Sequence, residues 1–345
     1  MIAVVGTGSW GTTLAVVLAR SGLKTALLAR CEETARELRE RGENRRFLPG
    51  VRMPDGLLVT ADVAAALAGR RVVLLVVPAQ RMRENAAFLR GHVPKDAVVV
   101  TAAKGLEMHT CKRMSEVMVE EIGQEIVGRV AALSGPNLAV EVAAGLPTAT
   151  VVAAPDEGVA AFVQRHLRVP HLRIYTNCDL VGVELAGALK NIIALGAGIC
   201  DGLGYGDNAK AAFMTRGLAE IARLGVAMGA NPLTFAGLAG IGDLVATCAS
   251  RLSRNRYVGE QLGKGRPLAE IQAGMSQVAE GVPTTAAAHE LASKYGVDMP
   301  ITSGMYKVLF AGGSAREGVS ELMMRDQKGE LAGLKLRSEA VSEQG

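Results

Sequence analysis

Aromatic side chains are scarce in this chain: six Phe, five Tyr and a single Trp amount to 3% of its 345 residues. Proteins that grip nucleic acid through stacked bases set such rings among basic residues, and no run of that kind occurs. The formal charge of +4 is small for the length, so no nucleic-acid partner is expected. Cysteine is also sparse. The five thiols (Cys31, Cys111, Cys178, Cys200, Cys248) are odd in number, scattered and without a CxxC pair. That argues against a disulfide framework and a zinc site, and it agrees with a reducing cytoplasm. No metal is expected. The chain opens on a strand-like run with no basic segment leading into a cleavable apolar stretch, so no secretory leader is expected. Only residues 180–199 are apolar enough to raise a membrane question. Glu184 and Lys190 near the middle would be costly in lipid, so the segment reads as a buried helix without stable membrane insertion.

What the chain does have is small and aliphatic: 49% of residues are hydrophobic, with 41 glycines. That suits tightly packed helices and parallel strands, and the length suits two domains better than one core. Short apolar runs bounded by turn residues or charges, at Ile2–Val5, 26–29, 72–77 and Val98–Thr101, read as buried strands. Residues 11–21 and Glu32–Arg41 between them have helical composition. Such alternation predicts an α/β fold built on a doubly wound parallel sheet, extended by 130–133, Thr148–Ala153 and 172–175. Beyond Asn177 no convincing strand follows, only long Ala/Leu/Gly-rich stretches with helical periodicity, such as 179–195 and 209–228. The expected division is therefore 1–178 and 179–345, the second domain all helical. A polar tail after about Lys328 reads as disordered.

The first strand runs into Gly6-Thr7-Gly8-Ser9-Trp10-Gly11, the place and pattern of a dinucleotide fingerprint on a Rossmann-type sheet. Gly6 permits the tight turn, Gly8 lets the backbone approach a pyrophosphate, and Gly11 allows close helix–strand packing. The following helix offers unpaired N–H groups to the anion. A carboxylate about twenty positions on would favour the ribose 2′-hydroxyl of NAD. Arg30 holds that place, so NADP or NAD is the expected cofactor. The alternative is an arginine that merely ends a strand at the surface.

Reduction of a ketone puts negative charge on its oxygen, which must be stabilised and protonated. Lys104 follows the strand Val98–Thr101 at its C-terminal end, where open sheets bind ligands. Lys190 lies in an otherwise apolar helix beside Ala188, Leu189, Ile192 and Ile193. Such a lysine either faces solvent or is buried with a depressed pKa. Asp243 sits in the small-residue run 238–244. Ser253, Arg254, Asn255 and Arg256 at a helix entrance form either a phosphate cradle or a solvated charge cluster.

Gly6 to Gly11, Lys104-Gly105-Leu106-Glu107, Ser134-Gly135-Pro136, Lys190-Asn191, Gly240-Ile241-Gly242-Asp243-Leu244, Ser253-Arg254-Asn255-Arg256, Val278-Ala279-Glu280-Gly281 and Met299-Pro300-Ile301 follow one another in a familiar order. Over residues 1 to about 319 the chain resembles bacterial NAD(P)-dependent glycerol-3-phosphate dehydrogenase. The resemblance implies reversible reduction of dihydroxyacetone phosphate to sn-glycerol 3-phosphate, supply of the glycerophospholipid precursor, and a homodimer. It also implies roles. Ser9, Trp10 and Ala139 would touch the cofactor, and Arg30 would lie near the adenosine ribose. Lys104 would reach cofactor and substrate. Lys190 would be the proton donor or acceptor, with Asp243 holding the substrate end of the pocket and setting its charge. Gly135 and Asn137 would line the substrate site. Ser253, Arg254 and Asn255 would hold the phosphate, Arg254 also lying near the dinucleotide. Val278 and Glu280 would close over the cofactor. Position 137 more often carries a hydroxyl residue in this family, so Asn137 implies altered contacts.

Two other readings remain open on the residues alone. One is another two-domain reductase, of the ketopantoate or β-hydroxyacid type, whose site binds carboxylates instead of phosphates. The other is a redox-sensing binding protein that uses the same cofactor fold without turnover.

Overall fold

The computed structural model describes residues 1–275, 277–327 and 329–330. The expected disordered tail falls almost entirely outside them. Ten strands precede residue 178: β1 (Ile2–Val5), β2 (Thr25–Leu28), β3 (Glu43–Asn44), β4 (Leu48–Arg52), β5 (Leu58–Thr60), β6 (Val72–Leu75), β7 (Val98–Thr101), β8 (Val130–Ser134), β9 (Thr148–Ala153) and β10 (Leu172–Asn177). Eight of them form one sheet in the order β10-β9-β8-β7-β6-β1-β2-β5, and β3 and β4 make a separate hairpin. In β1 every residue is buried, because helices cover both faces. Ile2 and Val4 point into one apolar cluster, Ala3 and Val5 into the other, the period-two alternation of a strand.

The helices of this half are α1 (Ser9–Arg20), α2 (Glu32–Arg41), α3 (Val63–Leu67), α4 (Met82–Phe88), α5 (Met114–Ile122), α6 (Ala139–Ala143) and α7 (Glu157–His166). One expectation needs correction: the sheet is mixed. β9 runs antiparallel to β8, Leu133 facing Val152, while β10 is parallel to β9. A parallel return needs a crossover long enough to carry the chain back to the start of its neighbour. At about 1.5 Å per residue the five-residue α6 covers too little of that distance. Strand direction leaves no trace in the alternation of one strand.

After Asn177 the described residues hold helices and turns but no named strand. These helices are α8 (Leu180–Gly202), α9 (Asp207–Ala227), α10 (Asp243–Ala249), α11 (Arg254–Gly263), α12 (Leu268–Ala273), α13 (Gly281–Tyr295), α14 (Pro300–Phe310) and α15 (Ala315–Met323). α8 is long and apolar enough to cross a membrane, but 89% of its most apolar window is buried inside the fold. α9, α10, α11, α13 and α14 all pack against it. α11 meets it backbone to backbone: a Cβ on Gly259 would lie 1.8 Å from the Leu195 carbonyl oxygen, and one on Gly198 2.0 Å from that of Arg256. Glycine at these crossings brings the residues of α11 against those of α8.

Glu184 ties α8 to the sheet layer. Its carboxylate takes Arg113 Nη1 at 2.7 Å, the Ser115 N–H at 2.8 Å and the Ser115 hydroxyl at 2.6 Å. A buried carboxylate is tolerated only when its lone pairs are matched in this way. Glu220 does the same inside the helical half, accepting the Ile301 and Thr302 N–H groups at the start of α14.

Candidate active site

Between the two halves lies a cleft of about 1140 Å³ at the C-terminal ends of β1, β2 and β6, the place where open sheets bind ligands. Its sheet-side wall begins with the glycine turn. Gly6 has φ +110°, and a Cβ there would lie 2.5 Å from the Val76 carbonyl oxygen. A Cβ on Gly11 would lie 2.1 Å from the Gly6 oxygen, so this glycine works by packing and does not itself line the cleft. Gly8 precedes α1 with open space where a side chain would project. Ser9, Trp10 and Ala139 share this wall, and the buried indole N–H of Trp10 has no partner. An open glycine cradle at a helix N-terminus beside an unspent donor fits a dinucleotide.

Arg30 reaches the cleft from just beyond β2, with its side chain 70% exposed. Glu84 of α4 pairs with its guanidinium at 2.8 Å.

The cleft floor gathers the charged residues. Lys104, beyond the end of β7, donates through Nζ to Asp243 Oδ2 at 2.7 Å and to the Gly135 carbonyl at 2.9 Å. Lys190 donates to Asp243 Oδ1 at 2.5 Å and to the Thr247 hydroxyl at 2.5 Å. One carboxylate therefore holds two ammonium groups. Lys190 is buried, which settles the choice left open by its helix, and it still borders the cleft. Burial pushes its pKa down, Asp243 pulls it up and Lys104 pushes it down, to about 8. Burial works to raise the Asp243 carboxyl, but Lys104 and Lys190 outweigh it and hold the group below its usual range.

The kinked turn 238–242 delivers Asp243 to this spot. A Cβ on Gly240 would lie 2.0 Å from the Phe235 carbonyl oxygen, so glycine at this position is a steric requirement. Asp243 is not on the cleft wall itself and acts there through the two lysines it holds. It is 2% exposed and lies behind the two lysines. Gly135 is also behind the wall and contributes its carbonyl to Lys104. Its φ is +144°, and a Cβ there would lie 3.0 Å from the Thr150 Cα.

Thr247 is the functional candidate that the sequence reading missed. It follows Asp243 by one helical turn on α10, so spacing alone placed both on one face. Asn191 enters the sequence analysis only beside Lys190 in the family match, with no role of its own. Its Nδ2 donates to the Lys104 carbonyl at 3.0 Å, and its Oδ1 accepts from Asn255 Nδ2 at 2.9 Å. Asn255 Oδ1 in turn accepts the Gly281 N–H at 2.9 Å. The Asn255 side chain is thus a strut between α8, α11 and α13 as well as a cleft residue.

At the rim, the Ser253 hydroxyl caps α11 by accepting the Arg256 N–H at 3.2 Å. Arg254 extends into the cleft and donates to the Val278 carbonyl at 2.7 Å. Among the described residues it forms no ion pair, and burial lowers its pKa against the pull of the Glu280 carboxylate. Val278 and Glu280 complete the helical wall. Glu280 reaches across to the sheet side, where one oxygen accepts the Ala79 N–H at 3.0 Å and the other, buried, has no partner. Burial pushes its carboxyl up to about 6, against the pull of the Ala79 N–H and Arg254. Asn137 donates through Nδ2 to the Thr150 hydroxyl at 2.9 Å, which leaves its own Oδ1 unpartnered beside the cleft. No group of three His, Cys, Asp or Glu side chains that could hold a metal occurs among the described residues.

Comparison with known proteins places this arrangement. Residues 1–160 match the family described as NAD-dependent glycerol-3-phosphate dehydrogenase N-terminus, and 179–320 match its C-terminus. The chain belongs to this family. It is 54% identical over 330 residues to the glycerol-3-phosphate dehydrogenase [NAD(P)+] of Moorella thermoacetica, covering 96% of this chain and 97% of that one. The enzyme of that name from Geobacter sp. (strain M21) is 52% identical, covering 95% and 98%. The crystal structure of glycerol-3-phosphate dehydrogenase from Coxiella burnetii superimposes with a TM-score of 0.88 at 39% identity, covering 94% of this chain and 98% of that one. The chain is accordingly an NAD(P)-dependent oxidoreductase, as its motifs implied.

Proposed function

We propose that Lys190 is the acid–base group for the reversible reduction of dihydroxyacetone phosphate to sn-glycerol 3-phosphate. The observation that carries this reading is the buried Lys190–Asp243–Lys104 cluster open to the cleft. A bound nicotinamide supplies or accepts the hydride, and the chain supplies the rest. Protonated Lys190 donates to the ketone oxygen as negative charge grows on it, and neutral Lys190 takes the proton from the alcohol in the reverse direction. A pKa near neutrality serves both tasks. Asp243 keeps the ammonium form accessible and fixes the direction of Nζ, while Lys104 adds a second positive charge beside the developing oxyanion.

Arg254 and the α11 entrance take the substrate phosphate. With no ion pair among the described residues and a single backbone contact, to the Val278 carbonyl, Arg254 has guanidinium donors left for phosphate oxygens. Asn137 Oδ1 offers an acceptor to the substrate hydroxyl. A carbonyl there performs the accepting half of what a hydroxyl side chain does, which reconciles Asn137 with the same substrate. Trp10 and the Gly8 turn hold the cofactor, and Val278 and Glu280 cover it. The division at residue 178, with the sheet carrying the cofactor and the helices the substrate groups, follows from these assignments. A homodimer, a cytoplasmic location and supply of the phospholipid precursor complete the reading.

The test is NADPH oxidation with dihydroxyacetone phosphate beside 2-ketoacids such as ketopantoate. Dihydroxyacetone phosphate should be favoured by at least ~100-fold in kcat/KM, because a phosphate site rejects ligands that leave its charges unpaired. Preference for a 2-ketoacid would transfer the protein to the carboxylate reductases. Cofactor binding with no NADPH oxidation in the presence of either substrate would favour a sensor.

A further inference from the structure

Dinucleotide sites distinguish NAD from NADP at the end of the second strand, where a carboxylate suits the ribose 2′-hydroxyl and an arginine suits a 2′-phosphate. This chain brings both to that place. Arg30 follows β2, and Glu84 arrives from α4, which follows β6 on the far side of β1. Glu84 Oε1 binds Arg30 Nη2 at 2.8 Å, and its Oε2 binds Arg81 Nη1 at 3.0 Å. All three residues line the cleft.

We propose that Arg30, Glu84 and Arg81 form a two-way specificity device for the cofactor, with Glu84 the determinant for NAD and Arg81 a second determinant for NADP. With NAD, Glu84 accepts the 2′-hydroxyl and remains between its arginines. With NADP, the 2′-phosphate takes the two guanidinium groups, and Glu84 must release them and stand beside a like charge. Ion pairs as exposed as these, with Arg30 and Glu84 side chains 70% and 50% accessible, are weak and exchange partners readily. The cluster is therefore placed to yield to whichever ribose arrives. Sequence spacing found only Arg30, because Glu84 and Arg81 reach the site from a different strand and helix. The inference rests on the cofactor reading above and adds the residues that set the choice.

The experiment measures Kd for NADPH and for NADH by quenching of Trp10. It is the chain's single tryptophan and lines the cleft, so the signal does not depend on turnover. The ratio Kd(NADPH)/Kd(NADH) should fall about tenfold in Glu84→Gln and Glu84→Ala and rise about tenfold in Arg81→Ala, the scale of one charge-assisted contact. The two cofactors differ only at the 2′ position, so a merely structural role would move both Kd values together and leave the ratio in place. Ratios that move less than threefold, or move the same way in the Glu84 and Arg81 variants, overturn the proposal. Should the ratios shift as stated while dihydroxyacetone phosphate is not reduced, the reaction assignment fails and the specificity assignment stands.

Discussion

Lys190→Ala should lower turnover in dihydroxyacetone phosphate reduction by about 10³-fold or more while leaving the Kd for NADPH within a few-fold of the parent. Proton transfer by a positioned side chain contributes roughly 10²–10⁴-fold, and the positive charge on Nζ adds oxyanion stabilisation at the same atom. Lys190 is held on the cleft floor by its hydrogen bonds to Asp243 and Thr247, apart from the residues of the glycine turn proposed to hold the cofactor. Asp243 keeps Lys104 as a partner at 2.7 Å, so the substitution does not strand its charge altogether. Steady-state kinetics with Trp10 titration as the binding control will separate the two effects. Near-normal turnover would remove Lys190 from the proton transfer.

Arg254→Ala should act on binding. The KM for dihydroxyacetone phosphate is expected to rise at least ~30-fold, with a smaller change in kcat, since truncating one side of a charged contact typically costs about 2–5 kcal/mol and every 1.4 kcal/mol is about tenfold. The guanidinium has one backbone partner, the Val278 carbonyl, and no ion pair among the described residues. Its loss therefore removes charge that the fold itself does not spend. Arg254→Lys should restore part of the affinity without the two-pronged contact. A KM within threefold of the parent value in Arg254→Ala would place the phosphate elsewhere. A fall in kcat with KM unchanged would give the arginine a role at the reacting atoms instead.

Local patterns and the family resemblance made much of this site legible in advance. The glycine turn, the strands of the first half and the helical second half all declare themselves through periodicity and turn residues, because these are short-range consequences of backbone geometry. Lys190 stood out as a charge in an apolar helix, but its sequence could not say whether it was buried or solvated. That depended on α10 bringing Asp243 and Thr247 to the same point, a tertiary contact across more than fifty residues. Asp243 was recognised, yet its place behind the lysines instead of on the cleft wall depends on the kink at Gly240. The antiparallel course of β9 was invisible because direction is set by the short connection through α6. Glu84 and Arg81 were missed for a related reason: strand order, with β6 beside β1 and β1 beside β2, brings separate segments to one end of the cleft.

The most direct test of the central claim is the pH dependence of kcat/KM in both directions, between about pH 7 and 9.5. Lys190 carries a pKa brought down from 10.5 to about 8. Alcohol oxidation needs its neutral form, so that rate should climb through about pH 8 and level off above it. Ketone reduction needs the ammonium form and should decline over the same interval. Opposed profiles, each with its inflection near pH 8 in the parent enzyme, are the predicted result. Profiles that run in the same direction, or no inflection near pH 8 in either, would contradict the assignment of Lys190 as the group that moves the proton.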